Sequence, residues 1–429
     1  MPGINMLTLR LIFLAAVLAG LLSCHSPAQT TISVPPPQRP VPPPVLPEHH
    51  DPALAKKGGI AAAALSRFGM KMSAGLAAKR QHENVFISPL SLFMALAMTE
   101  SGAAGRTRAA MRQAMGVPAE VSEERLHESA SALLKTLHAQ KGIDLSIANA
   151  LWSDRSLPLA PEFVRRCHQL YEAEATVLNF RDPAAADTIN AWVKQKTREK
   201  IPSIVTSADV RSSDVILTNA VYFRGAWRYV FDKKQTQQQA FHLVNGREKK
   251  VAMMHRSSIS GAYRSGDGYE AAALPYKDSE TLLYAILPAV GKSPEETLAS
   301  VSVEGLRAAS EANDLDLRLP RFTLDFSASL KDQLIQAGMG IAFRPGAGFL
   351  PMGSSKLFVG NVLHKTRLEV DEEGTVAAAT TAVTVVLAAA PHPVVKKTLV
   401  FDRPFALLLV DGQTGAVLFA GVVYDPASP

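Results

Sequence analysis

Between Glu373 and Lys396 the chain runs through 22 residues, Gly374 to Val395, without one Asp, Glu, Lys or Arg. No other segment limits the possible folds so much. A membrane-spanning helix is a poor reading, because Thr375, Thr380, Thr381 and Thr384 recur and Pro391 and Pro393 interrupt the run. Its Thr and Val content favours a strand, and its alanines suit a place where space is tight. Yet Thr375–Leu387 is thirteen residues, long for one strand. It leads into a proline-bearing stretch of the kind found in exposed loops. The segment is composed like a buried strand and placed like a loop.

The rest of the chain is ordinary globular material. Of 429 residues 47% are hydrophobic and 20% charged, which rules out disorder as the main state. Basic residues exceed acidic ones by 45 to 39, a net charge of +6. That excess is too thin for a nucleic-acid footprint, and the run Lys194–Lys200 reads as a solvated helix face. Only two cysteines occur, Cys24 and Cys167, which excludes a disulfide scaffold and a cysteine-based metal site. Phe163, Cys167, Leu170 and Tyr171 share one face of a helix expected over 162–173, so Cys167 is read as inert core.

The first fifty residues read as an address and a tether. Leu11–Leu22 is a twelve-residue apolar run behind Arg10, the length of a signal-peptide core. Met6 offers a second possible start. Leu21-Leu22-Ser23-Cys24 resembles a bacterial lipoprotein processing box, in which cleavage leaves the cysteine as a lipid-bearing N-terminus. On that reading residues 1–23 are the signal and Cys24 is the lipidation site, with export to the bacterial cell envelope, at the outer membrane or cell surface. A plain secretory signal with an incidental cysteine is the other reading. Pro35–Pro47 cannot form helix or sheet and should extend as polyproline II, a spacer of roughly 40 Å at ~3.1 Å per residue. A ligand for a partner domain is the alternative. Residues 24–51 are thus the tether, and 52–429 a single folded domain.

Within that domain helical spacing comes first. Leu65, Phe68, Met72 and Leu76 share a face, and Ser88-Pro89 starts a second helix with a cap and a first-turn proline. Thr107–Met115 closes on Gly116, and Leu126, Ala130, Leu133, Leu134 and Leu137 mark another apolar face. Strand signals follow at Val215–Trp227, Leu282–Leu287, Leu315–Phe326, Leu357–Val370, Phe405–Val410 and Ala416–Val423. This order predicts an α+β fold rather than a doubly wound or barrel enzyme.

Enzyme motifs are missing. Neither G-x-S-x-G nor H-E-x-x-H occurs, and Gly291-Lys292-Ser293 lacks the first glycine of a phosphate loop, since position 286 is Ile. Gly346-Ala347-Gly348 is followed too late, at Gly353, for a dinucleotide fingerprint. The pair His49-His50 has no second ligand at helical spacing. No catalytic residue, metal site or cofactor is expected.

Five segments carry a resemblance. They are Asn84-Val-Phe-Ile-Ser-Pro-Leu-Ser91, Leu217-Thr-Asn-Ala-Val-Tyr-Phe-Arg-Gly-Ala-Trp227, Asp371-Glu-Glu-Gly-Thr375, Leu399-Val-Phe-Asp-Arg-Pro-Phe405 and Leu418-Phe-Ala-Gly-Val-Val-Tyr-Asp-Pro426. In this order, from about Pro52 to Pro426, the chain resembles the serpins, suicide inhibitors of proteases. The resemblance implies a metastable fold of three β-sheets and about nine helices with an exposed reactive-centre loop. A target serine protease would attack that loop, form a covalent acyl-enzyme, and be trapped when the loop inserts as a new strand of the main sheet.

By family position, the hinge is Glu372, Gly374, Thr375, Ala377, Ala378 and Ala379. The attacked bond is Ala388-Ala389, with Leu387 and Ala390 as neighbouring alternatives. Small apolar residues there suit elastase- or subtilisin-like proteases, and Leu387 is a position that papain-like cysteine proteases read. Ser88, Asn219 and His364 match a polar cluster beneath the main sheet, and Trp227 the tryptophan where insertion begins. Ser88 also reads as a helix cap, His364 as a satisfied core histidine and Trp227 as core. The one departure is Val376, where many inhibitory members carry glutamate. The expected partners are the protease and, through Cys24, a membrane; nucleic acid is not expected, and the chain should be a monomer. A non-inhibitory serpin acting as a binding or scaffold protein is the rival, against which the alanines at 377–379 argue.

Overall fold

Asp51 opens the first helix by accepting from the N–H groups of Ala53 (2.8 Å) and Leu54 (3.3 Å), with Pro52 in the first turn. The helix, α1 (Pro52–Lys79), buries Leu65, Phe68, Met72 and Leu76 as their spacing requires. The computed structural model describes residues 51–308, 314–375 and 396–428. Residues 1–50, which hold the expected signal peptide, Cys24 and all of the expected tether but Asp51, lie outside the described residues, as do Ala377–Ala379 and Leu387–Ala390.

After α1 come β1 (Val85–Ile87), α2 (Pro89–Glu100), α3 (Gly105–Ala114), α4 (Glu123–His138) and β2 (Ile143–Asp154). Next are α5 (Pro161–Tyr171), β3 (Glu174–Leu178), α6 (Ala185–Lys196), α7 (Ser207–Arg211) and β4 (Val215–Ala226). A run of strands follows: β5 (Gln237–His242), β6 (Glu248–Ser260), β7 (Tyr263–Gly266), β8 (Tyr269–Pro275) and β9 (Thr281–Pro288). Two short helices, α8 (Pro294–Ser300) and α9 (Val303–Arg307), precede β10 (Asp314–Pro320), β11 (Phe322–Ser329) and the single turn α10 (Lys331–Leu334). The chain closes with β12 (Asn361–Val370), β13 (Gly374–Thr375), β14 (Lys396–Val400), β15 (Phe405–Asp411) and β16 (Val417–Val423).

The strands build three sheets. The main sheet runs β11-β12-β4-β2-β3, with β13 paired to β4 off this path; the others run β1-β16-β15-β9-β8-β7 and β14-β10-β6-β5. Central β4 is antiparallel to β2 from Val215↔Ser153 to Gly225↔Ile143, and parallel to β12 from Ile216↔Asn361 to Tyr222↔Arg367. One large core lies behind the main sheet, where α2 is buried along its whole length against β2 and β4. A smaller core, with Trp152, Ile189, Val193, Ile216 and Leu363, lies between the sheet's other face and α6.

The architecture is the expected α+β arrangement of three sheets, with ten α-helical segments among the described residues rather than about nine. Three details correct the sequence reading. The single strand expected over Leu315–Phe326 is two strands in different sheets, β10 and β11. The break follows Pro320, which has no N–H to continue a ladder, and the Arg321 N–H turns to the Ala252 carbonyl at 2.8 Å. The strand expected from Leu357 begins only at Asn361. Finally, β2 lies in the half read as helical, and its alternation is masked because both faces of the strand are covered.

Candidate functional site

The site is the seam between β4 and β12. The two strands pair for seven residues up to Tyr222 and Arg367 and then part. At the end of β12 the turn Asp371–Glu373 reverses the chain. The Asp371 carboxylate accepts from the N–H groups of Glu373 (2.9 Å) and Gly374 (3.0 Å), while its own N–H donates to the Gly374 carbonyl at 2.9 Å. The returning pair β13 then lies antiparallel on β4, Gly374 against Ala226 and Thr375 against Gly225. Only glycine fits at 374, since a Cβ there would sit 2.2 Å from the Gly225 carbonyl oxygen and 2.7 Å from Ala226 Cα.

Trp227 fastens this turn twice. Its backbone N–H donates to the Glu373 carbonyl and its indole N–H to the Asp371 carbonyl, both at 2.9 Å. Buried Glu372 accepts from the Thr236 hydroxyl at 2.8 Å and has the Arg321 guanidinium at 3.8 Å. Lys233 pairs with Glu373, and that hydrogen bond raises the Lys233 pKa. Thr375 is fully buried, its hydroxyl 2.6 Å from that of Tyr276. Tyr276 stacks on Trp227 with ring centroids 4.6 Å apart, and Phe223 meets it edge-on at 5.0 Å. Burial drives the Tyr276 pKa far up, so its hydroxyl keeps its proton.

Lower on the same seam Asn219 stands between Asn149 of β2 and His364 of β12, each directly opposite it in register. His364 is fully buried and its pKa is pushed down to about 3 by desolvation, so the ring is neutral. Its Nε2 accepts from the Ser88 N–H at 3.0 Å, which leaves the proton on Nδ1 to be donated to the Asn219 carbonyl oxygen. The Asn219 amide donates to Ser91 Oγ and Asn149 Oδ1, and Ser91 Oγ donates to Asn149 Oδ1 at 2.6 Å. Ser88 is indeed a cap, accepting from the Ser91 N–H at 3.2 Å, while its hydroxyl donates to the Leu418 carbonyl at 2.7 Å. Its link to His364 runs through the backbone.

The structure therefore brings Ser88, Asn219 and His364 together and places Trp227, Glu372, Gly374 and Thr375 at the top of the same seam. Sequence reasoning missed Ser91, Asn149, Tyr276 and Arg321. Ser91 ends one of the quoted motifs, and its spacing of three from the capping Ser88 was a usable signal; Asn149 and Tyr276 gave none. Both His364 nitrogens are occupied, and the lone described thiol, Cys167, is buried with its pKa driven up by desolvation. Among the described residues no three His, Cys, Asp or Glu side chains gather as a metal site. What the arrangement offers is a sheet that parts above a polar lock, with the first two residues of a further strand already seated.

The family model described as serpin (serine protease inhibitor) matches residues 63–426. The chain is a serpin. An uncharacterized serpin-like protein of Thermococcus kodakarensis is 33% identical over 352 residues, 80% of this chain and 81% of the relative. Serpin A3-3 of Bos taurus is 31% identical over 377 residues, 86% and 90% of the two chains. Among solved structures, the thermophilic serpin tengpin in its native state matches with a TM-score of 0.75 at 28% identity, over 89% of this serpin and 96% of tengpin. Human glycosylated kallistatin matches with a TM-score of 0.77, also at 28% identity, over 87% and 100%. Membership places this serpin among protease inhibitors rather than proteases.

Proposed function

We propose that this serpin is a suicide inhibitor of elastase- or subtilisin-like serine proteases, anchored by a lipid on Cys24 at the bacterial cell envelope. The protease serine attacks the Ala388 carbonyl carbon. The Ala388–Ala389 bond breaks, Ala389 leaves as an amine carrying a proton, and Ala388 stays esterified to the enzyme. Loop insertion then pulls that ester away from the groups that would hydrolyse it.

The observation that carries this reading is the pairing of Gly374–Thr375 on β4, in the direction an inserted strand must run. Continuing the register one for one sets Ala379 opposite Val221, Thr381 opposite Asn219 and Val385 opposite Val215. Thr375 faces the interior, so alternation gives the inner face to Ala377, Ala379, Thr381, Val383 and Val385. All are small or β-branched. Insertion replaces one parallel ladder, β4 with β12, by two antiparallel ones. It must break the Asn219–His364 hydrogen bond, and the Thr381 hydroxyl arrives at that level to take up both freed groups.

Mixing the protein with pancreatic elastase, followed by a denaturing gel and intact-mass analysis, tests the reading. The expected result is a covalent adduct that survives denaturation and a released peptide beginning at Ala389. Cleavage without adduct by elastase and by subtilisin alike would overturn it. The anchor is tested separately: Cys24→Ser should move the protein from the membrane to the soluble fraction of a bacterial host.

A further inference from the structure

Helix α2 has a polar feature at each end. Ser88, its cap, belongs to the Asn219–His364 cluster; Glu100, its last residue, ends in a second buried cluster that inhibition does not use. Twelve residues make a rod of about 18 Å, buried along its length. Glu100 is fully buried, and neither of its carboxyl oxygens has a hydrogen-bond partner. The groups facing it come from three helices. Helix α3 supplies Arg112 at 3.6 Å and Arg108 at 4.0 Å, and α4 supplies His127 Nε2 at 3.5 Å together with Glu123. Helix α5 supplies Tyr171, bonded to His127 Nδ1, and Arg166, which lies 3.6 Å from Glu123 and donates to the Ser101 carbonyl at 3.0 Å.

Ionised, this carboxylate would be held only by guanidinium groups at 3.6 Å and beyond, Arg112 at the edge of hydrogen-bond reach, at the C-terminal, negative end of its own helix. Burial outweighs the attraction of Arg112 and Arg108, and with Glu123 adding repulsion the Glu100 pKa rises to about 7. His127 is pushed the other way, to about 4, by burial and by Arg166, Arg112 and Arg108, so it is neutral. Tyr171, its phenol pKa far raised by burial, donates to Nδ1 and leaves the His127 proton on Nε2, facing Glu100.

We propose that Glu100 is a proton switch on sheet opening: the uncleaved fold keeps a proton on this buried carboxyl, and opening the seam releases it. The physical link is α2, which packs on β2 and β4. When β4 moves off β12 to admit a strand, by about 4.8 Å, the β2–β4 side carries with it the surface that α2 and its two polar ends are packed against. Repacking at Ser88 then loosens the four-helix contact at Glu100, water reaches the carboxyl, and its pKa falls toward the ordinary range. The sign follows. A carboxyl whose pKa is raised in the closed form favours that form below its ordinary pKa and penalises it as pH climbs through 7. The trap is therefore held at mildly acidic pH and eased open at neutral and alkaline pH. This rests on the proposed loop insertion.

Carboxyl-carbon NMR of the glutamate-labelled full chain, uncleaved and after loop cleavage, tests the switch without any substitution. One glutamate should titrate near pH 7 in the uncleaved form and move into the ordinary range after cleavage. The same titration in both forms, in a sample whose thermal stability has risen on cleavage, overturns the switch and leaves insertion standing. Cleavage with no rise in stability overturns insertion instead. Kinetics give a second reading: Glu100→Gln should slow the heat-driven opening of the uncleaved protein by about tenfold at pH 8 and far less at pH 5.5. Equal slowing at both pH values would count against the switch.

Discussion

Thr375 is where one side chain decides between inhibitor and substrate. It is buried against Tyr276 and would be the first inward residue of the strand proposed to insert. Thr375→Arg would place a cation with no partner in that cage, at several kcal/mol, so the share of encounters ending in covalent complex should fall by at least about tenfold. The variant should still be cleaved, with active protease released; a gel of the reaction against wild type reads this directly. His364 gives a pH prediction. Its ring is neutral and its pKa is lowered in the folded form, so an unfolded chain takes up the proton more readily and the fold loses stability as pH falls from about 6.5 toward 3. The urea midpoint should therefore drop between pH 6.5 and 4, and His364→Gln should flatten part of that slope. The remaining slope includes His127, which shifts in the same direction, and is offset in part by Glu100, whose raised pKa favours the fold as pH falls below 7. Ser88, Asn219 and Trp227 were legible because they sit inside motifs of known order, and His364 through its family position between two of them. Asn149 and Tyr276 were not, because each matters only through a partner that lies far away in sequence.

Among the elements, the seven-residue ladder of β4 with β12 sets how easily the seam parts. Asn219→Ala would strand the His364 Nδ1–H, while Asn149 Oδ1 keeps the bond from Ser91 Oγ, costing the closed form about 1–3 kcal/mol. A lower melting temperature of the uncleaved protein and faster heat-driven opening should follow, both readable by circular dichroism. Gly374→Ala should unseat β13, because the added Cβ meets the backbone of β4 and not a yielding side chain. Amide exchange at Thr375 should then rise by orders of magnitude while exchange within β15 and β16 stays slow. The helices were easy to read because their caps and spacing are local: Ser88, Gly116 and the Leu126–Leu137 face all behave as their sequence says. The strands were harder. In β10 and β11 a proline divided what composition joined, and in β2 two-sided burial erased the alternation on which strand reading depends.

For the whole molecule the test is a comparison of two states of one chain. Cutting the loop should raise the melting temperature, because a break in the covalent chain adds a strand to the main sheet; intact and nicked protein can be scanned side by side. If the nicked form melts no higher, the strand does not enter. The two residues of β13 also govern molecularity. On the proposed insertion, a segment tied through β13 to the upper end of β4 would face its slot at an effective concentration in the millimolar range, so the loop of a second molecule in dilute solution would start far behind. Order of reaction then separates the fates of the opened sheet: self-insertion is first order and indifferent to dilution, whereas capture of a neighbour's loop grows with concentration. Unseating β13 removes the head start, so Gly374→Ala should make the products of gentle heating depend on how much protein is in the tube.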